Sequence, residues 1–147
     1  ALIVLTNAPF LFGWAKPVPY NPGNLSNRKW GTVAVASAGI ISNFAIAILF
    51  GIIIRLSAGL SMPEGFYFIT SIIVVVNLGL AIFNLVPIPP LDGSKMLFSL
   101  LPYSYSSLVS KIEEYSLVLL LAFIIFFSQY LYPILVFLFQ FLTGLAF

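Results

Sequence analysis

Apolar positions run almost unbroken along this chain, and the few charged residues mark off long stretches. Between Lys29 and Arg55 there is no Asp, Glu, Lys or Arg. The run 32–54, as a helix rising 1.5 Å per residue, is long enough to cross the ~30 Å hydrocarbon layer of a bilayer. Gly59, Pro63 and Glu64 then supply turn chemistry. A second run, 66–86, is rich in Ile, Val and Leu and stops at Pro87, because proline disfavours helix in the residue before it. Residues 93–101 are expected to resume as a short helix, closed by Pro102 and a Tyr- and Ser-rich stretch to Ser107. From 115 to 147 no charge occurs, which is too long for one span. Tyr130-Leu-Tyr-Pro133 predicts a break there, with one span ending near Ser128 and a second apolar helix that crosses the membrane or lies at its interface.

None of these runs alternates with period two, so the predicted fold is all-α: a polytopic transmembrane helical bundle with one proline-broken helix. Residues 7–31 differ, with Pro9, Pro17, Pro19, Pro22 and several Gly and Asn. They are expected to form a loop or re-entrant segment with an irregular or short β stretch at 12–18, held at membrane depth only if other protein covers its backbone. One membrane-embedded domain is expected over 1–147, with core helices in 32–101 and further membrane helices in 107–147.

Composition strengthens this picture, since 61% of the residues are hydrophobic and 7% charged, against about a quarter charged in soluble domains. The net charge of +2, spread over isolated basic residues and the pair Arg28 and Lys29, gives no nucleic-acid surface. Lys16, Arg28, Lys29, Lys95 and Lys111 fall on one side of the expected spans and Arg55 on the other, which orients the former side to the cytoplasm. The chain has no Cys and no His, which excludes a disulfide framework, a thiolate metal site and any imidazole ligand from within it. The apolar start at residues 1–5, with no Met and no basic flank, is unlike a signal peptide and is expected to be the tail of a segment begun upstream.

The irregular feature is Asn84-Leu-Val-Pro87-Ile-Pro89-Pro90-Leu-Asp92-Gly93. An ionised carboxylate at the centre of a membrane helix costs roughly 2.5 to 3.5 kcal/mol on insertion scales, so Asp92 should meet a polar cavity, a cation or a partner. Pro87, Pro89 and Pro90 free backbone carbonyls, and Gly93 admits a close neighbour. On residue types alone two readings stand: a polar pocket within apolar surroundings, or a tight boundary loop in which Asp92 caps the helix from Gly93.

Asn84-x-x-Pro87-x-Pro89-Pro90-Leu-Asp92-Gly93 closely resembles the signature of the site-2 protease family, peptidase family M50, zinc metalloproteases that cut peptide bonds within membranes. Phe12-Gly-Trp-Ala-Lys-Pro-Val-Pro-Tyr-Asn21 and Ala38-Gly-Ile-Ile-Ser-Asn43 resemble small bacterial members of the same family, so the likeness runs from about Pro9 to about Leu101. The resemblance implies that Asp92 is one protein ligand of a catalytic Zn2+, the others being two histidines of a His-Glu-x-x-His helix whose glutamate is general base. Those residues are absent, so these 147 residues alone are expected to be inactive and to bind no zinc. Either the chain is a fragment whose His-Glu-x-x-His helix lies ahead of Ala1, or it is a relative that binds membrane proteins without cutting them.

Within spans, asparagine ordinarily bonds between helices. The resemblance makes Asn43 and Asn84 candidates to contact an extended substrate backbone or an oxyanion, whereas Asn77 lies outside both motifs and is expected to be structural. Ala34, Ala38 and Ser42 are expected to serve ordinary close helix packing. Trp14, Trp30 and the tyrosines from Tyr103 to Tyr115 are read as interfacial anchors. Lys95 is expected to snorkel to the headgroups, with pairing to Asp92 as the alternative. The edge at 12–18 is a candidate for adding a strand to a substrate, although Pro17 and Pro19 remove donors from it.

The function expected from these features is that of a zinc-dependent intramembrane endopeptidase, with this chain as its aspartate-bearing half. Its partners would be the lipid bilayer and a transmembrane protein or peptide substrate, in a bacterial plasma membrane. A second class is an ion-coupled transporter subunit, because broken helices with a midplane carboxylate also mark ion sites. Carriers usually pair such breaks across two halves, and here there is one.

Overall fold

A computed structural model describes residues 28–147. The expected strand or loop at 12–18, together with Trp14 and Lys16, lies outside the described residues.

Helix α1 (Arg28–Ser57) is 30 residues long, about 45 Å at the helical rise. It takes in Lys29, Trp30 and Gly31, so helix begins ahead of the expected Thr32. Helix α2 (Glu64–Leu85) returns antiparallel to it after the turn at Gly59 and Pro63. The hairpin is tied at that end by the Tyr67 hydroxyl, which donates to the Ser57 carbonyl oxygen at 3.0 Å. Ala47 and Ile54 of α1 pack with Val74, Leu78 and Ile82 of α2 and with Phe139, forming the core.

With 22 residues, α2 is about 12 Å shorter than α1. The first turns of α1 thus extend past the end of α2, and α3 (Asp92–Leu100) packs against α1. Between α2 and α3 the chain turns through residues 86–91, where proline can donate no backbone bond. The free amides there close short turns: Ile88 N–H donates to Val86 O and Leu91 N–H to Ile88 O, each at 2.9 Å. The Pro89-Pro90 peptide bond is cis.

After a 3₁₀ turn at Tyr103–Tyr105, helix α4 (Ser106–Glu114) carries Lys111, Glu113 and Glu114 and buries no residue. The apolar run expected from residue 115 begins with α5 (Ser116–Phe127). A 3₁₀ turn at Ser128–Tyr130 leads into α6 (Leu131–Thr143). The expected break is thus a change of helical type with no intervening loop. Pro133 is accommodated in the first turn of α6, where its missing N–H has no intrahelical partner to lose. The two halves pack differently: α6 lies against α1 and α2 through Leu135, Leu138, Phe139 and Leu142, while α5 buries no residue.

The segments Lys29–Ser57, Gly65–Leu85 and Ser116–Thr143 are each long and apolar enough to cross a membrane. With no strand among the described residues, this is an all-α membrane bundle. Its outer surface is apolar, with Leu56, Phe68 and Ile125 widely exposed, which suits lipid and would be an aggregation liability in water. Polar side chains turn inward to their own helices, as in the bonds from Ser42 to the Ala38 carbonyl, Thr70 to Phe66 and Thr143 to Phe139. No buried side-chain N or O among the described residues lacks a partner, which a medium without water demands.

Small residues do bring helices together, but at other positions than expected. Ala34, Ala38 and Ser42 lie on an exposed face of α1. The tight approach is instead at Gly51, where a Cβ would fall 3.0 Å from Leu142 Cβ of α6.

Candidate metal-ligand site at the proline bend

Asp92 is the first residue of α3, and Leu91 occupies the cap position. The reading of Asp92 as a helix cap is thereby replaced: the aspartate stands in the first turn, where the helix dipole favours negative charge, and no side-chain cap bond is made. Lys95 Nζ donates to its Oδ1 at 2.8 Å, with the two side chains 51% and 31% exposed for Lys95 and Asp92 respectively. Lys95 is thus paired to the aspartate, which corrects the expectation that it snorkels to headgroups. Spacing of i to i+3 on one helix puts both groups on one face.

The other oxygen, Oδ2, lies beside α1: a Cβ added to Gly39 would sit 3.8 Å from it. Gly39 is about 16 Å along α1 from Arg28, well inside a helix of bilayer-spanning length. The fold therefore brings two separated motifs together, Ala38 to Asn43 on α1 and the proline bend after α2. Asn43 lies one turn beyond Gly39 on the same face, about 6 Å along the axis. It is half-buried, and no hydrogen bond of its side chain is found among the described residues.

Gly93 is held by backbone. A Cβ there would fall 2.6 Å from the Leu85 carbonyl carbon and 2.7 Å from the Val86 carbonyl oxygen. Only hydrogen fits, and this close approach anchors the start of α3 to the end of α2. Ser94, 2% exposed, completes the anchor by donating to the Leu91 carbonyl oxygen at 2.7 Å. Pro89 and Leu91 are buried in the same turn, while Pro87 and Pro90 are exposed.

Asn84 stands in the last turn of α2, and its Nδ2 donates to the Leu80 carbonyl oxygen at 2.9 Å. Asn77 does the same to Ile73 at 2.8 Å, in keeping with a structural role. The interhelical bonds expected of Asn84 are replaced by a bond within its own helix, because the carbonyl one turn back is already at hand.

Zinc sites take three or four protein donors in tetrahedral arrangement. Asp92 fits one such position, with one carboxylate oxygen not taken by Lys95 and partial exposure. Among the described residues no group of three His, Cys, Asp or Glu comes together, and the whole sequence has neither His nor Cys. The described residues thus offer one donor and do not form a zinc site by themselves. Gly39 and the Lys95 pairing are the site features that sequence reasoning underweighted. For Gly39, its place within the second family-like motif was the available signal; for Lys95, it was the i to i+3 spacing from Asp92.

Comparison with known proteins bears on this bend. The family model "Peptidase family M50" matches residues 51–127, a stretch that includes α2, the bend, α3, α4 and α5. The protein named "Putative zinc metalloprotease YwhC" from Bacillus subtilis (strain 168) is 33% identical over 118 residues, covering 75% of this chain and 53% of the relative. The chain therefore spans about half the length of that curated relative. No solved structure matches it.

Proposed function

Because this chain belongs to peptidase family M50, we propose that it is the aspartate-bearing part of a zinc-dependent intramembrane endopeptidase. The family and the relative's name support a metalloprotease function. What carries the finer reading is the position of Asp92: a carboxylate with one open oxygen, set against α1 about a third of the way along that helix, at a bend that ends an apolar run.

In this reading Asp92 Oδ2 is one donor to zinc, and the remaining donors come from outside these 147 residues. Bound zinc would acidify a water towards a pKa of ~7 and polarise the scissile carbonyl. The residues of this chain have simpler tasks. Gly93 and Ser94 fix the bend, Lys95 balances the aspartate, and the apolar faces of α1 and α2 limit water around the site. Asn43, with no partner among the described residues, is the better candidate to donate to a substrate carbonyl or an oxyanion. Asn84 gives its amide to Leu80 and is the weaker one. The substrate class is a membrane-embedded peptide segment.

The test is Asp92→Ala in the complete protein that carries this chain, assayed for zinc content and for cleavage of a membrane-embedded substrate. Loss of both with normal membrane insertion is expected. Wild-type cleavage or undiminished zinc in that variant would falsify the assignment of Asp92 as a ligand.

A further inference from the structure

We propose that the bundle holds one anionic phospholipid at the α1–α2 turn, its phosphate on the Arg55 guanidinium and an acyl chain in the groove between α2 and α6. This stands apart from the protease reading, because it uses the end of the hairpin opposite Asp92. Two recesses adjoin there. A polar one of about 520 Å³ is lined by Arg55, Tyr67 and Thr143, with Arg55 the one charged residue among its described lining. An apolar one of about 510 Å³ is walled by Phe68, Ile72, Val76, Phe139 and Phe147. Leu145 lines both.

Their order along the helices matches a lipid. Arg55 lies in the last turn of α1 and Tyr67 in the first turn of α2, at the boundary of two segments long and apolar enough to span a bilayer. Phe68, Ile72 and Val76 follow at four-residue spacing, a stripe running about 12 Å along α2 towards the bilayer interior. The cation thus stands at headgroup level with the apolar groove beneath it. A guanidinium carries about five N–H donors. Two of Arg55's bonds go to the Leu142 and Phe141 carbonyl oxygens, and the remaining donors belong to a side chain that is exposed. Guanidinium geometry matches phosphate oxygens, and the tie to α6 holds the group in place, so less side-chain freedom is lost on binding. An apolar helix laid in the groove would leave those donors without an acceptor. Phosphate supplies one.

The experiment uses the complete protein that carries this chain, stripped of lipid in an uncharged detergent. It is titrated with phosphatidylglycerol, with phosphatidylcholine of the same chains, or with inorganic phosphate. Bound lipid is counted by native mass spectrometry, and the lipid-free thermal midpoint is recorded. One phosphatidylglycerol per chain is expected, bound about fivefold more tightly than phosphatidylcholine and not displaced by inorganic phosphate. Arg55→Met should abolish the preference. Because that variant also loses its bonds to α6, Val76→Trp is measured beside it. Val76 is 51% exposed, so the ring fills the groove without entering the core or touching Arg55. Val76→Trp should weaken phosphatidylglycerol binding with an unchanged lipid-free midpoint. Equal affinity for the two lipids in wild type overturns the proposal, as does a preference retained in Arg55→Met or undiminished binding in Val76→Trp. Displacement by inorganic phosphate also overturns it, since the site would then take an anion and not a lipid.

Discussion

The bundle holds a charged side chain at each end of the α1–α2 hairpin, and the two are satisfied in different ways. Arg55, near the turn between the helices, donates Nε to the Leu142 carbonyl oxygen at 2.8 Å and a terminal nitrogen to that of Phe141. These carbonyls lie at the C-terminal end of α6, which closes at Gly144 in the left-handed conformation, φ 73°. The arginine thereby meets the negative end of a helix dipole and ties α6 to α1. Asp92, at the other end, has a side chain as its partner and retains an oxygen that faces α1. A charge bonded to backbone carbonyls ties helices together. A charge that keeps an open donor atom inside an apolar bundle has capacity for chemistry.

Gly93→Ala should break the comparison most severely at the Asp92 end. The added methyl collides with the backbone at Leu85 and Val86, and neither can move without shifting the bend. Overpacking of this kind costs about 1–3 kcal/mol, and a lowered thermal midpoint in detergent would report it. The complete protein should lose cleavage as well, since Asp92 moves with its neighbour. Unchanged melting and cleavage would mean that the turn at 86–93 is not packed as described.

At the opposite end, Arg55→Met removes both bonds to α6 but keeps an apolar stem. A loss of about 1–3 kcal/mol is expected for charged hydrogen bonds, again read from thermal unfolding, with zinc affinity of the complete protein unaltered. If zinc affinity fell along with stability, the two ends would be coupled and the division drawn between them would not hold. The smallest effect is predicted for Gly79→Ala. No heavy atom lies within 4 Å of a Cβ at that position, so better helix propensity should raise stability by up to about 1 kcal/mol. A destabilised variant would indicate that the α2 face at Gly79 is more tightly covered than the structure shows.

Much of the fold was legible along the chain because membrane helices announce themselves locally. Charge gaps located α1 and α2, and Pro87 ended α2 near the expected residue. The region after Pro102 was less legible: α4 is short, polar and exposed, so neither apolar length nor burial marked it. Ser128–Tyr130 followed the expected break, but whether helix continued across it depended on α6 packing against α1 and α2. The small residues show the same limit. Ala34, Ala38 and Ser42 repeat regularly, yet the close crossing is made at Gly51 because that is where α6 passes.

By itself, the sequence determined that the protein is an apolar helical one with a proline-interrupted span, and that Asp92 sits in a motif resembling a metal-ligand signature. These are properties of short windows: run length, breaker residues and the order of a few side chains. Only the tertiary structure decided what Asp92 meets. The shortness of α2 leaves α1 open to α3, the missing Cβ of Gly93 lets the bend close, and the result is one carboxylate oxygen on Lys95 with the other beside Gly39. Gly39 and Asp92 are distant in sequence, and no local pattern encodes which of the turns of α1 the bend will reach; that follows from how the helices pack.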